Sequence, residues 1–287
     1  GDVYKRQECA GTAWESDCGC VPADNSGDDC DDCAGVPFGT DLDASLNLSQ
    51  GNNLVSFHAM PYNTSLGSVF GDMDLIGVIG EGSAAASVDG TWYGSLDAVD
   101  AASGYWVQSN VDGTVDVCGD PADDVVYTLH DANNLLSYSY GESQSIGDAL
   151  PDDVEDEVFA IVGEGVASIN LGGMWAGSLS SFDAGSGYWF ARSADAADIT
   201  FQYNAPSAGD ARLLSNELPV VPEEYVYNQS TEQGFYFVES VMIDGEPMSE
   251  NNWIVAYNEG VIVGARMWNG EYTDVPAMGY DLSLIHI

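Results

Sequence analysis

Asn52-Asn53-Leu54-Val55-Ser56-Phe57 is repeated later in the chain as Asn133-Asn134-Leu135-Leu136-Ser137-Tyr138, and this pair of stretches decides the organisation of the fold. Three more pairs of blocks follow in the same order. They are Gly80-Glu81-Gly82 with Gly163-Glu164-Gly165, Trp92-Tyr93-Gly94-Ser95-Leu96 with Trp175-Ala176-Gly177-Ser178-Leu179, and Ser103-Gly104-Tyr105-Trp106-Val107 with Ser186-Gly187-Tyr188-Trp189-Phe190. Because the four blocks keep their order with almost no insertion, the sequence predicts two tandem copies of one folding unit.

The pattern within each copy predicts mostly β-strands, which are separated by turn residues. The predicted strands cover residues 46–48, 54–57, 76–79, 92–93, 105–108 and 114–117 in the first copy, and 125–129, 158–162, 188–191 and 199–203 in the second. Residues 65–70 and 145–150 each begin with a serine that is suited to cap a short helix. The predicted fold class is therefore mainly β. Tandem small β-rich modules, each with one short helix, follow a loop segment rich in disulfides and aspartate.

Changes in composition divide the chain into further segments. The predicted units are a Cys/Asp-rich repeat segment at 8–46, a first β-rich module at 47–120, a second at 121–206, a linker at 207–222 and a third, truncated β module at 223–281. Within the third module, residues 235–243 predict one long strand. Residues 253–257 and 261–265 predict a hairpin, and Asn269-Gly270 predicts another.

The two ends of the chain resemble translated sequencing-library adaptor. A codon string for residues 2–7 has a reverse complement that encodes residues 282–287. Residues 1–7 and 282–287 are therefore expected to be artefact and are excluded from the fold prediction.

The charge of the chain is strongly negative. Lys and Arg number 5 against 47 Asp and Glu, which gives a formal net charge of -42. A field of this sign repels nucleic acid and anionic lipid, so neither is expected as a partner. No apolar run approaches the roughly 20 residues that span a bilayer, so no membrane segment is expected within the fragment. The charge suits a solvated surface in salty water, and it also suits calcium binding.

Five of the six cysteines cluster near the start of the chain, namely Cys9, Cys18, Cys20, Cys30 and Cys33. In a short segment with few apolar residues, such clustering favours disulfides in an oxidising compartment. A zinc site built from Cys18, Cys20, Cys30 and Cys33 is the alternative. The odd number suggests that a partner cysteine lies before the fragment, and the pairing stays open.

Aspartates surround these cysteines. The candidate calcium ligands are Asp24, Asp28, Asp29, Asp31 and Asp32. Carboxylates this close in sequence repel one another, and a calcium ion with six to eight oxygen ligands would relieve the repulsion. The spacing differs from that of an EF-hand loop.

The sequence contains no catalytic motif that both copies share. Glu81 and Glu164 are the best pair of carboxylates, but each lies in a different module, where the flanking glycines favour a turn. His58 and His130 have no counterpart in the other copy. The chain is therefore expected not to be an enzyme.

Four tryptophans in the repeated blocks are candidates for stacking on a sugar ring, namely Trp92, Trp106, Trp175 and Trp189. Successive residues of a strand point to opposite faces of the sheet, so the competing interpretation is that these side chains pack in the core.

The four repeated blocks resemble modules of large secreted multidomain proteins of marine bacteria, many of which are exported by type IX secretion. The array at residues 33–39 resembles aspartate and cysteine repeats of the same proteins, loosely akin to thrombospondin type 3 calcium-binding repeats, although it lacks their regular Asp-x-Asp-x-Asp spacing. Residues 235–240 and 252–256 resemble a further segment found there. The resemblance implies an extracellular or outer cell-surface location and does not imply an activity.

The expected function is that of a non-catalytic stalk, adhesion or binding segment, stiffened by calcium, with a glycan or cell-surface ligand as partner. The alternative is a set of carbohydrate-binding accessory modules of a polysaccharide-degrading enzyme.

Overall fold

The computed structural model describes residues 13–71, 73–207, 216 and 218–280. The fold is mainly β, as the sequence predicts, with several separate sheets and three short α-helices among the described residues. Cys9 and the adaptor-like ends at 1–7 and 282–287 lie outside these residues.

The N-terminal segment contains one small hairpin, in which β1 (Trp14–Ser16) pairs with β2 (Gly19–Val21). Turns and bends follow up to the first module, and the backbone of Asp31 forms an isolated bridge with Pro37.

The first module consists of eight strands and one helix. They are β3 (Leu42–Leu48), β4 (Gly51–Val55), β5 (Ala59–Pro61), α1 (Leu66–Val69), β6 (Leu75–Gly80), β7 (Ser83–Val88), β8 (Thr91–Gly94), β9 (Tyr105–Ser109) and β10 (Gly113–Pro121). One sheet has the order β4-β9-β6-β7-β8, and a second has the order β3-β10-β5. Strand β3 begins within the stretch that the sequence assigned to the N-terminal segment.

The second module repeats this arrangement. Its elements are β11 (Tyr127–Leu129), β12 (Asn133–Ser137), β13 (Gln144–Ser145), α2 (Ile146–Ala149), α3 (Asp152–Glu155), β14 (Ala160–Val162), β15 (Ala167–Asn170), β16 (Trp175–Gly177), β17 (Ser181–Phe182), β18 (Gly187–Ala191) and β19 (Ile199–Phe201). The five-stranded sheet has the order β12-β18-β14-β15-β16, which matches the first module strand for strand, and β11 pairs with β19 as β3 pairs with β10.

The short helix predicted for each module is present, and the second module has one more, α3. Pro151 precedes α3, and acidic residues occupy the first turn of this helix. Negative side chains at a helix N-terminus interact favourably with the helix dipole. Val154 is 2% exposed and anchors α3 to the core.

Each module has its own apolar interior. Phe57, Phe70 and Tyr105 are among the buried residues of the first core. Tyr138, Phe182 and Phe190 belong to the second. The two interiors do not merge, and a third, smaller cluster lies between them.

The C-terminal unit begins with a 3-10 helix at Glu223–Tyr225 and continues with β20 (Gln233–Val238), β21 (Met242–Ile243), β22 (Glu246–Pro247), β23 (Trp253–Asn258), β24 (Val261–Met267) and β25 (Thr273–Met278). The predicted hairpin of β23 and β24 is present, and β20 pairs with β25. The prediction of one long strand over 235–243 is wrong. Strand β20 ends at Val238, and Met242–Ile243 forms the separate strand β21, which pairs with β22.

Two disulfides are described: the first agrees with the disulfides predicted among the clustered cysteines, and the second corrects the place of the missing partner. Cys18 pairs with Cys30, and Cys33 pairs with Cys118 of β10. The sixth cysteine of the chain therefore supplies the partner that the sequence placed before the fragment. The zinc alternative is contradicted as well, because three of its four thiols are used in these bonds.

Candidate functional site

Three of the four pairs of repeated blocks meet at the junction between the first and second modules. Leu54 of the first module and Leu135 of the second belong to the small cluster between the two cores, together with Trp106, and Trp189 packs against it. The junction is reciprocal, because the glutamate, serine and glycine contacts each occur twice with the modules exchanged. Such a self-complementary contact is the intramolecular equivalent of a twofold dimer interface.

Each Gly-Glu-Gly turn sends its glutamate into the other module. The backbone N–H of Leu135 donates to Glu81 Oε2 at 2.8 Å, and that of Leu54 donates to Glu164 Oε2 at 2.9 Å. The predicted pair of carboxylates is thus engaged with two backbone amides. A carboxylate that accepts from a backbone N–H forms a charge-assisted hydrogen bond, which is stronger than a neutral one.

Two buried serines, at the ends of β4 and β12, form further hydrogen bonds between the modules. The backbone N–H of Ser56 donates to the carbonyl of Gly185 at 2.8 Å, and that of Ser137 donates to the carbonyl of Ala102 at 3.0 Å. Their hydroxyls repeat the pattern, from Ser56 to the carbonyl of Ser186 at 2.7 Å and from Ser137 to the carbonyl of Ala101 at 2.6 Å. The repeated serine is therefore conserved between the copies as a junction residue.

The glycine before each Tyr-Trp pair allows the two backbones to approach. A Cβ on Gly104 would lie 2.8 Å from the carbonyl oxygen of Leu136, and one on Gly187 would lie 2.8 Å from that of Val55. Distances under 3.0 Å exclude a side chain without movement of the backbone. Both copies need glycine here because of the partner module.

Trp106 and Trp189, two of the candidate stacking residues, lie in this junction. Trp106 is 2% exposed and packs with Leu54 and Leu135, while Trp189 is half-buried against the same cluster. The Nε1 atom of Trp106 has no hydrogen-bond partner among the described residues. Burial leaves Trp106 without a face for a ligand in this structure.

The other two tryptophans pack against the module interiors. Trp92 lies against the first core, with its ring 6.3 Å from that of Phe70. Trp175 lies against the second core and donates through Nε1 to Glu155. All four tryptophans thus contribute to packing, and Trp92, Trp175 and Trp189 keep part of their surface accessible.

Local electrostatics differ between the two halves of the junction. Glu164 borders two cavities of about 250 Å³ each and keeps contact with solvent, yet desolvation by the surrounding protein raises the pKa of its carboxyl. In the other half, His130 binds Glu81 through Nε2, and this hydrogen bond raises the pKa of the imidazole. Desolvation lowers the pKa of the second histidine, His58, which lies away from these glutamates beside Gly141.

The C-terminal unit forms hydrogen bonds with the backbone of the Gly-Glu-Gly turn of the second module. Gln233 accepts from the N–H of Gly165 at 3.2 Å and donates to the carbonyl of Gly163 at 2.8 Å. Arg266 donates to the carbonyl of Gly165 at 2.6 Å. One turn therefore contacts the first module through Glu164 and the C-terminal unit through its backbone.

A buried ion pair completes this second interface. Arg266 donates to Asp274 Oδ2 at 3.0 Å, and Ser178 of the second module donates to the same oxygen at 2.6 Å. Arg266 is 5% exposed and Asp274 is 2% exposed. Sequence reasoning missed this pair. The available signal was the rarity of arginine in so acidic a chain, because each one is expected to have a specific partner.

The candidate calcium ligands form hydrogen bonds with different partners. Both carboxylate oxygens of Asp32 accept backbone N–H groups, from Ala34, Val36 and Asp41, and the bond from Val36 lowers its pKa. Asp29 binds the side chain of Asn25. In the part of the chain that the structure describes, the one compact group of potential ligands contains Asp31 with the disulfide-bonded Cys18 and Cys30. Calcium binding stays a prediction.

Comparison with known proteins yields no match, whether to a protein-family model, to a curated protein or to a solved structure. None of the helices in the described residues has the length and apolar character needed to cross a bilayer. The contacts of this site attach the units to one another. Hydrogen bonds join the first module to the second, and the second module to the C-terminal unit.

Proposed function

We propose that this chain is a non-catalytic stalk or adhesion segment of a secreted, multidomain bacterial protein. The observation that carries the proposal is the reciprocal junction, in which Glu81 and Glu164 each bind a backbone amide of the opposite module. A segment that holds other domains at a fixed distance needs such joints, because a free linker between modules allows them to rotate.

Specific contacts also join the other consecutive units of the chain. The N-terminal segment is bonded to β10 through Cys33 and Cys118, and Gln233 ties the C-terminal unit to the second module. Asn216, from the predicted linker, donates to the carbonyl of Ser181 at 2.9 Å and to Asp183 at 2.7 Å. Consecutive units are thus attached to each other by specific contacts, which supports a mechanical role.

An extracellular location is part of the proposal. Disulfides persist in oxidising compartments and are rare in the cytosol, and the chain carries two among its described residues. The net charge of -42 keeps such a segment soluble, and salt screens its self-repulsion.

Backbone ¹⁵N relaxation of the full chain tests whether the joints are rigid. We expect the two modules to share one rotational correlation time, and a variant with both Glu81→Ala and Glu164→Ala to lose this common tumbling. A variant with Glu239→Ala and Glu246→Ala removes the same charge from exposed positions and should behave like the parent. Independent tumbling of the modules in the parent chain would refute the proposal.

The calcium prediction for the N-terminal segment has its own test. Thermal unfolding of the chain is compared in calcium and in chelator, with signals from the segment followed separately. Stabilisation by calcium supports the prediction, whereas an unchanged transition contradicts it.

A further inference from the structure

The two glutamates of the junction have different surroundings. Glu81 accepts the backbone N–H of Leu135 through Oε2 and binds Nε2 of His130 through Oε1. Glu164 accepts the backbone N–H of Leu54 through Oε2 and forms no other hydrogen bond to a residue that the structure describes. Among the described residues, the reciprocal junction thus places an imidazole at one glutamate and no cationic group at the other.

Ser49 occupies the position in the first module that His130 occupies in the second. The backbone N–H of Ser49 donates to Asn53 Oδ1 at 2.7 Å, and the amide of Asn53 donates back to the carbonyl of Ser49 at 2.8 Å. His130 and Asn134 form the same pair of bonds, at 2.8 Å and 3.1 Å. Because the backbone contacts match, the two copies differ here in the side chain alone, which is an imidazole in one and a small hydroxyl group in the other.

Space for a small ligand lies beside Glu164. Its side chain lines two cavities of about 250 Å³ each. Asn47 and Asn53, on either side of Ser49 in the chain, border one of them. A water molecule takes about 30 Å³ in the liquid, so a cavity of this volume can hold a five-membered ring. A ring from position 49 that pointed toward Glu164 would enter this space.

The charges around Glu164 favour a cation. Glu164 and Asp183 are the charged groups among the described residues that line the two cavities. Asp183 already accepts hydrogen bonds from Ser143 and Asn216. Desolvation raises the pKa of the Glu164 carboxyl, so the surrounding protein disfavours its negative charge. A cation that donates an N–H to the second oxygen of Glu164 would offset this cost.

We propose that the cavity beside Glu164 binds a small organic cation that carries an N–H donor and has about the size of an imidazolium ring. The class of ligand follows from the other half of the junction, where His130 binds Glu81. The inference goes beyond the stalk or adhesion role and does not depend on it, because ligand binding and the rigidity of the junction are measured separately. The contact is open to solvent, so the dissociation constant should be roughly 1 mM.

The test is an NMR titration of the full chain with imidazole at about pH 6, below the pKa of about 6.5 of an unperturbed imidazole side chain. The amide signal of Leu54, which donates to Glu164, should shift in a saturable manner. The amide signal of Leu135 should not, because His130 already binds its glutamate. General attraction of a cation to so acidic a chain would move both signals alike. Pyrazole, a neutral ring of the same size, should leave the Leu54 signal unchanged.

Ser49→His fills the cavity with a side chain of the protein itself. The new imidazole should bind Glu164 and abolish the response of Leu54 to added imidazole. Ser49 is exposed, so the change does not disturb a core. Ser68→His is the matched control, because it adds a histidine at an exposed position of α1, and its Leu54 signal should respond as in the parent.

His130→Ser is the reciprocal variant. It opens the equivalent place beside Glu81, so the amide signal of Leu135 should begin to respond to imidazole. The absence of a saturable shift at Leu54 in the parent would overturn the proposal, as would equal shifts of the two leucine signals or an equal response to pyrazole. An unchanged response of Leu54 in Ser49→His, or an unresponsive Leu135 in His130→Ser, would overturn it as well.

Discussion

Gly187 faces Gly104 across the junction, so closely that a Cβ on Gly187 would lie 3.2 Å from the Cα of Gly104. The same Cβ would meet the carbonyl oxygen of Val55 at 2.8 Å. We expect Gly187→Ala to lower the free energy of unfolding by about 1 to 3 kcal/mol, because the extra methyl group forces the modules apart. Gly234→Ala is the control, since its Cβ meets nothing closer than 3.9 Å. Urea denaturation measures both, and an equal effect of the two changes would contradict the close approach.

Two substitutions of Glu164 separate its role as a hydrogen-bond acceptor from the effect of its negative charge. Glu164→Ala removes the partner of the Leu54 N–H, and an unsatisfied backbone donor costs about 1 to 3 kcal/mol. Glu164→Gln keeps an acceptor oxygen and removes a desolvated charge, so it should be as stable as the parent at neutral pH. The pKa of Glu164 is raised, so its protonation favours the folded state and the parent should gain on the glutamine variant as the pH falls. Denaturation at several pH values checks both expectations, and equal losses in the two variants would show that the charge of Glu164, and not its acceptor oxygen alone, carries the contact.

The His130 to Glu81 contact should make the junction sensitive to pH. Glu81 and the carbonyl of Asp131 raise the pKa of His130 above its ordinary value of 6.5. Protonated His130 therefore favours the folded state. Its contribution is fully present below pH 6.5 and is lost as the pH rises through the higher folded value. The side chain is 46% exposed, so the effect should be at most about 1 kcal/mol.

Comparison of the parent with His130→Gln measures this contribution. The difference in unfolding free energy should be larger at about pH 5 than at about pH 8, on either side of the ordinary histidine pKa. A difference that is the same at both values would show that the contact carries no ionic component.

The sequence predicted the fold class because strand patterns and the repeated blocks are local signals. It missed β7, whose residues Ser83–Val88 include three alanines and two serines. Such residues have little intrinsic preference for strands. The segment becomes a strand because β6 and β8 pair with it on both sides. Tertiary context decides this element, and no local pattern contains that information.

The junction could not be predicted from the same repeats, although they contain both glutamates, both serines and both glycines that form it. A residue that recurs in two copies can serve either the interior of each copy or the surface between them. Leu54 and Trp106 are apolar residues that suit the interior of a module as well as the surface between two modules. Only the structure shows which residues they contact. The pairing of Cys33 with Cys118 was hidden for a related reason, because its partner is 85 residues away.

Trp106 should contribute to stability through packing alone. It is buried with Leu54 and Leu135, and its Nε1 has no partner among the described residues. Trp106→Ala should cost about 3 to 5 kcal/mol, the usual range for truncation of a buried aromatic residue. Trp106→Phe keeps a ring and removes the unpaired donor, so it should cost much less. Denaturation of the two variants checks this order, and a phenylalanine variant as unstable as the alanine variant would point to an unrecognised partner of Nε1.

The disulfide between Cys33 and Cys118 should stabilise the chain more than the one between Cys18 and Cys30. The loops that they close differ in length, with sequence separations of 85 and 12 residues. The chain-entropy estimate gives about 4.5 kcal/mol for the longer loop and about 3 kcal/mol for the shorter one. Removal of the longer crosslink also releases β10 from the N-terminal segment. We therefore expect the variant with Cys33→Ser and Cys118→Ser to unfold at lower denaturant than the variant with Cys18→Ser and Cys30→Ser. Both variants carry the same number of serines, so the comparison isolates the position of the bond, and the reverse order would show that the shorter loop holds the more stable structure.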